Sequence, residues 1–238
     1  MIKVITSKDN PRVKFALKLK DNKYRKETGL FLAESFKTLE MALKANLVEE
    51  VFTLEWLNIP EDIPQNLVSE EILKKLSSSV NPEGVVFIAR MKQKEEKDYK
   101  KILYLDEIND PGNLGTLVRT ALAFNYDAVI TSKNSVSFYN EKTISASKGA
   151  IFCIDCFTDE LKSYKNTHQI IITALAKDSI PLDEVEVPEK FVLVLGSEAH
   201  GVSKESILLG DRKVIIPIEN IDSLNVAVAG GILMNKLR

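Results

Sequence analysis

With 238 residues, of which 45% are hydrophobic and 28% charged, the chain has the make-up of one or two folded domains, which excludes disorder and collagen-like repeats. Its apolar runs fall short of the ~20 residues that cross a bilayer, and the opening MIKVITSKDNPRVKF has no apolar secretion signal. Two cysteines make no disulfide framework, so a reducing cytoplasm is expected, and a net charge of −2 by itself points to no class of partner.

The distribution of charge says more. Residues 1–26 hold nine lysines and arginines, among them Arg12, Lys14, Lys18, Lys20, Lys23, Arg25 and Lys26, against Asp9 and Asp21, a local charge of +7. Such a segment either contacts a polyanion or is a solvated helix face, and composition leaves both open. Next, Gly29–Ala33 reads as a strand. Ser35 then caps a helix whose Phe36, Leu39 and Leu43 recur at helical spacing. Two more strands are predicted at Val51–Leu54 and Gly84–Ala89.

Residues 91–101, MKQKEEKDYKK, are charged at eight of eleven positions and read as a linker between two domains, 1–90 and 102–238. Beyond it, apolar runs at Ile102–Leu105, Ala128–Ile130, Ile151–Ile154, Ile170–Thr173, Phe191–Leu195 and Val214–Ile216 are continuous rather than alternating. Strands covered on both faces have that pattern, so the second domain is expected to be a parallel sheet flanked by helices.

Ligands of such sheets sit beyond the carboxyl ends of the strands, and three of these ends carry unusual residues. After the first strand comes DEINDPGNLGTLVRT. Asp-Pro-Gly is turn chemistry, Asn113 is the expected helix cap, Leu114, Leu117, Val118 and Ala121 face a core, and Thr116 and Arg119 face away. Arg119 is then either a solvated arginine or a functional one. After Leu195 comes GSEAHGVS, two glycines around Glu198 and then Ser203 as a cap. His200 has no evident partner there. After Ile216 comes PIENIDSLNVAVAGGI, where Ser223 is the expected cap of a small-residue helix onto which another segment or subunit packs closely, with Asn225 in its first turn.

Phosphate-loop and dinucleotide fingerprints are lacking, and a zinc site is poorly supported by two histidines and two cysteines. Cys153 and Cys156 form a CxxC pair in or beside a strand and read as buried structural residues. A Ser-His-Asp set cannot be assembled.

The three segments LDEINDPGNLGTLVRTALAF, VLVLGSEAHGVS and IIPIENIDSLNVAVAGGILM, in this order, resemble motifs 1, 2 and 3 of the SpoU (TrmH) family of RNA ribose 2′-O-methyltransferases in the SPOUT superfamily. Upstream, SKDNPRVKFALKLKDNKYRKETGLFLAESFKTLEMAL and NPEGVVFIAR resemble that family's N-terminal RNA-binding domain, itself similar to a small ribosomal protein. The resemblance covers nearly the whole chain.

It implies an α/β catalytic domain with a C-terminal trefoil knot, which general topology rules would never suggest, preceded by a small α/β RNA-binding domain. It also implies S-adenosylmethionine bound in the knot without a metal, a homodimer with no membrane association, and ribosomal RNA, 23S RNA first, favoured over transfer RNA as substrate. By the same resemblance Ala174, Gly196, Ile216 and Leu224 would hold the cofactor. Arg119 would act as base or electrostatic clamp, and Asn113, Glu198, Ser223 and Asn225 would hold it and the ribose. Arg12, Lys14, Lys18, Lys20, Lys23, Arg25 and Lys26 become the expected RNA clamp, while Tyr24 and Phe31 are either base-stacking or core residues. Ser35, Leu122, Asn125 and Ala199 depart from the family pattern without removing a catalytic group. The alternatives are a transfer-RNA methyltransferase and a non-catalytic RNA-binding relative.

Overall fold

A computed structural model describes residues 2–238. The chain forms two compact units, the first running up to Lys92 and taking in Tyr139–Cys153, the second made of Gln93–Phe138 and Ile154–Arg238. The first unit contains β1 (Ile2–Ile5), α1 (Pro11–Lys18), α2 (Asn22–Thr28), β2 (Leu30–Glu34), α3 (Phe36–Lys44), β3 (Val48–Thr53), β4 (Gln65–Val68), α4 (Glu70–Leu76) and β5 (Val85–Arg90). The chain continues with β6 (Lys101–Asp106), α5 (Pro111–Ala123), β7 (Ala128–Thr131) and α6 (Glu141–Ser147), the last of which belongs to the first unit. The second unit resumes with β8 (Asp155–Thr158), β9 (Gln169–Thr173), β10 (Ile180–Pro181), β11 (Phe191–Gly196), α7 (Lys204–Leu209), β12 (Arg212–Ile215) and α8 (Val226–Lys236).

Local chemistry explains the helix ends of the first unit. Asn10 caps α1 ahead of Pro11, Asp21 caps α2, and Gly29 closes α2 in the left-handed region, where a residue without Cβ is unstrained. Ser35 caps α3 as the sequence predicts, accepting the Thr38 amide hydrogen, although its own φ is 81°. The sheet runs β1-β4-β3-β5-β2, with β5 antiparallel to both neighbours and the other pairs parallel. Val13, Ala16 and Leu19 of the α1 region and Ile72, Leu73 and Leu76 of α4 close one face over Phe52, Val86 and Ile88.

The second sheet is all parallel, in the order β10-β12-β9-β11-β6-β7-β8. The central strands β6, β7, β9 and β11 are buried nearly along their length, as continuous apolar runs require, whereas β8, β10 and β12 are only partly buried. Ile102, Tyr104, Ile170, Ile172, Val192 and Val194 share one core. On the helical side, Gly230 lets α8 settle against α5 and β11, because a Cβ there would run into the side chains of Leu117 and Leu195. The close packing expected of the small-residue helix is therefore met within the chain. From β6 the chain builds outward to β7 and β8, then returns to place β11 on the other side of β6. That reversal between β6 and β11 is where an open parallel sheet leaves a crevice.

Several expectations need correction. Ile151–Ile154 is not a strand: Ala150–Phe152 is a 3-10 turn, with the strand following at Asp155. The run is apolar because Phe152 stacks on Phe31 in the first unit, not because it belongs to the parallel sheet. Residues 139–153 also group with the first unit, which no single boundary near 91–101 describes. Within that stretch Tyr99 is buried and Lys101 already begins β6. Cys156 is buried but Cys153 is exposed. In the first unit β1, β4, α1, α2 and α4 surround the predicted strands. Among the described residues no helix is long and apolar enough to cross a membrane.

Candidate functional site

The loops leaving β9, β11 and β12 enclose a cavity of about 460 Å³ in the second unit. Ala174, Gly196, Ile216 and Leu224, named from the sequence as cofactor contacts, all line it, as do Glu198 and Ser223. The lining is largely aliphatic, with Leu175, Leu195, Ile215 and Ile218 adding to the apolar wall. Its size falls in the ~300–1,000 Å³ range of small-molecule sites.

The loop after β11 folds back on the strand that carries it. Ser197 and Gly201 exchange two backbone hydrogen bonds, of 3.0 and 2.8 Å, so Glu198-Ala199-His200 forms the tip. Gly201 has a φ of 66°, and a Cβ on Gly196 would strike the backbone of Gly201 and Val202. Both glycines of the motif thus answer a geometric demand, one for left-handed backbone and one for closeness. Asp106, buried at the end of β6 and paired in register with Gly196, accepts the Ser203 amide hydrogen at 2.9 Å and anchors the loop's return. Ser203 then caps α7 as expected.

Three polar residues from the three motifs meet beside this loop. Asn113 donates from Nδ2 to Glu198 Oε1 at 2.8 Å, and Asn225 donates from Nδ2 to the same oxygen at 2.7 Å and to Asn113 Oδ1 at 3.2 Å. One carboxylate therefore gathers two amides contributed from either side of the sheet reversal. The caps differ from the sequence reading. Asp110, not Asn113, caps α5, and Asn225, not Ser223, caps α8 by accepting the Ala227 and Val228 amide hydrogens on Oδ1. Asp110 precedes Pro111, which fills the first helical position where no amide hydrogen is needed, so the helix starts earlier and Asn113 is released for the cluster. Asn225 serves both purposes because its oxygen caps while its nitrogen donates outward.

Arg119 lies on the exposed side of α5 with Thr116, while Leu114, Leu117, Val118 and Ala121 are fully buried. Among the described residues its side chain makes neither an ion pair nor a hydrogen bond. Ser223 is exposed on the loop before α8. His200 is exposed at the loop tip and only its backbone amide is engaged, on Ser197 Oγ. Among the described residues no group of three or more His, Cys, Asp or Glu side chains is placed to hold a metal ion.

The basic segment of the first unit divides sharply. Arg25 is buried, and its guanidinium donates to the carbonyls of Leu19 and Lys20, so it tethers α1 to α2 and does not face a ligand. Burial also depresses its pKa from the usual arginine value. Arg12 is engaged by Glu50, which is 4% exposed and also accepts from Asn66; these bonds hold the Arg12 pKa above its usual value. Lys20 donates to the Ser77 carbonyl. Lys14, Lys18, Lys23 and Lys26 are exposed, with Lys14 on Asp9, Lys18 over the Tyr24 ring and Lys23 near Glu27. Phe31 is a core residue and Tyr24 is not.

Residues 100–235 match the SpoU rRNA Methylase family, and residues 10–87 match the MRM3-like substrate binding domain. The chain is 32% identical over 248 residues to the 23S rRNA (guanosine(2553)-2′-O)-methyltransferase RlmP of Bacillus subtilis, with 100% of both chains covered. It is 25% identical to the mouse protein rRNA methyltransferase 3, mitochondrial, over 91% of this chain and 69% of that one. The crystal structure of AdoMet-bound rRNA methyltransferase from Sinorhizobium meliloti superposes with a TM-score of 0.91 at 26% identity, covering 100% of this chain and 97% of the other. With three motifs converging on one crevice and a match that runs through both units, the chain belongs to the SpoU rRNA methylase family.

Proposed function

We propose that this protein transfers a methyl group from S-adenosylmethionine to a ribose 2′-hydroxyl of ribosomal RNA, with 23S RNA as the favoured substrate. The observation that carries this reading is the Asn113–Glu198–Asn225 cluster at the rim of the 460 Å³ cavity, with the uncommitted Arg119 on the same helix as Asn113. The 23S assignment rests on the full-length similarity to RlmP.

The cavity suits the cofactor. At Gly196 backbone occupies the space a side chain would take, so a ligand meets main-chain groups at the strand end, while Leu195, Ile215, Ile216, Ile218 and Leu224 offer apolar contact to a planar base. When bound, S-adenosylmethionine supplies a methyl group already activated on a sulfonium centre. What remains for the protein is to orient the hydroxyl and manage its proton. Ala174, Gly196, Ile216 and Leu224 hold the donor side. Glu198 fixes both amides, and Asn113 and Asn225 with Ser223 orient the ribose. A guanidinium is a poor base at neutral pH because its pKa lies above ~12. Arg119 therefore acts by holding an adjoining phosphate and stabilising the negative charge that grows on the 2′-oxygen.

The reading includes a trefoil knot at the C-terminal end and a homodimer. In support, α8 packs on α5 and β11 without room for a side chain at Gly230, and Val228 and Ile232 leave an apolar stripe exposed on the same helix. Lys14, Lys18, Lys23 and Lys26 are the part of the basic segment left to contact RNA phosphates. With both cysteines free thiols, the cytoplasm is the location that goes with this substrate.

The test is methyl transfer from labelled S-adenosylmethionine to ribosomal and transfer RNA that lack the modification. Alkali-resistant 2′-O-methyl nucleotides in ribosomal RNA are expected. Cofactor binding with neither RNA labelled would overturn the assignment in favour of a non-catalytic relative.

A further inference from the structure

The first unit holds a second recess that the catalytic reading leaves without a role. It has a volume of about 90 Å³ and lies where β2 ends, α3 begins and the Ser77–Glu83 segment crosses, with α6 as its other wall. Its floor is unusual. Glu34 accepts hydrogen bonds from the hydroxyls of Ser77, Ser78 (2.7 Å) and Ser79 (2.7 Å). Burial alone would raise the Glu34 pKa, yet these bonds and the Ser78 amide hold it below the usual glutamate value, so the carboxylate stays charged. Each serine has then committed its only proton to Glu34; Ser77 Oγ already accepts the Ser79 amide hydrogen at 2.9 Å, and the oxygens of Ser78 and Ser79 are left as acceptors. On the α6 side Glu141 Oε1 is shut off from solvent and Glu141 feels the charge of Arg25, so that oxygen is closed to a ligand. Glu83, also lining the recess, accepts the Phe36 amide hydrogen at 3.3 Å through one oxygen.

The recess thus offers acceptors from Ser78, Ser79 and Glu83, with Asn81 and Lys148 as donors in the same lining, so a ligand edge that carries two adjacent N–H donors beside a carbonyl oxygen suits it. At about a fifth of the catalytic cavity's volume it admits the edge of a planar ring and not a whole nucleotide. Beside it, Phe36 is 46% exposed, with its ring tip near Gly84, and Lys37 and Lys148 are exposed cations. Unpaired RNA bases are typically held by an aromatic face, hydrogen bonds to the base edge and a cation near the phosphate.

We propose that this recess binds an unpaired RNA base through its exocyclic amine, with guanine preferred, while the ring stacks on Phe36. Guanine brings N1–H and the 2-amino group side by side, so two adjacent acceptors are satisfied. Uracil has one N–H between two carbonyl oxygens, which would face the acceptors. The proposal rests on the RNA-methyltransferase reading for its ligand class and assigns the first unit a base-selective contact distinct from the lysines of α1 and α2.

The test uses the full chain and uridine heptamers carrying guanosine, inosine or uridine at the centre, with binding followed by fluorescence anisotropy. The guanosine heptamer should bind roughly tenfold tighter than the uridine one, with inosine between them because it keeps N1–H and lacks the amine. Phe36→Ala and Ser79→Ala, both at exposed positions, should each reduce that preference with cofactor binding unchanged, and Phe36→Ala should leave thermal melting unchanged as well. Equal binding of the three heptamers by the wild-type chain, or a preference that survives both substitutions, would overturn the proposal. Ribosomal RNA methylation measured alongside separates the two readings. Methylation with equal heptamer binding refutes the base site alone, and a guanosine preference without methylation refutes the catalytic reading alone.

Discussion

Two carboxylate–amide clusters, one in each unit, are built from the same groups and do different things. In the first unit Glu50 is buried and binds Arg12 and the Asn66 side chain, and Asn66 reaches on to the Val51 carbonyl. In the second, Glu198 is exposed and binds Asn113 and Asn225 without any cation, while Arg119 is left unengaged. A buried carboxylate has to be neutralised and fully bonded, so its cation is consumed by the fold. An exposed carboxylate is solvated and can hold two amides in place for something else. Charge in a sequence therefore says little about availability. Arg12 and Arg25 look like the best anion binders of the basic segment, yet both are bound into the protein.

Substitutions can break this contrast. The largest expected effect is that of Arg12→Ala, which leaves the buried Glu50 carboxylate without its cation and should cost about 3 kcal/mol in urea unfolding. Arg119→Ala should do the opposite, lowering methyl transfer about 100-fold, or about 2.7 kcal/mol of barrier, with stability changed by less than ~0.5 kcal/mol. If Arg119→Ala melts early instead, it belongs with Arg12. Asn225→Ala falls between the two, losing about 1 kcal/mol of stability through the α8 cap and transfer activity through the amide. Asn225→Ser keeps a cap oxygen without setting a second carboxylate against Glu198, and should recover stability without activity.

The smallest effect is one of pH. The folded pKa of Glu34 is depressed because the hydroxyls of Ser77, Ser78 and Ser79 outweigh its burial. Its contribution is therefore present above the unfolded glutamate pKa and fades as pH falls through the lower folded value. A Glu34→Gln chain should lose stability at neutral pH and show a shallower decline than wild type between pH 5 and 3 in denaturant titrations. An equally steep decline would mean that the serines do not hold the charge.

Reading from the sequence succeeded where a local rule governs the outcome. Continuous Val/Ile/Leu runs at 102–105, 170–173 and 191–195 announce strands buried on both faces, and the residues at the carboxyl ends of the last two line the cavity. The motifs named Asn113, Glu198 and Asn225, and all three meet. Reading failed where a neighbour far along the chain decides. Phe152 looks like a strand residue, but its ring partners Phe31 and Phe87 lie more than 60 positions earlier. Asn66 and Gln65 gave no signal as core residues, because their burial depends on Glu50 and on the Leu57 backbone.

Backbone preference and apolar periodicity, both properties of a few adjacent residues, were enough to determine the parallel sheet and the points where chain direction changes, but not the grouping of residues 139–153 with the first unit. Tertiary structure alone decided which of several equivalent polar side chains are free. A hydrogen bond is made by whatever lies within about 3 Å, and for Arg12, Arg25 and Asn225 alike that neighbour is set by how strands and helices pack. Asn225 shows both levels in one residue: its oxygen caps α8, as an asparagine at that local position does, and its nitrogen reaches Glu198 because β11 ends beside it.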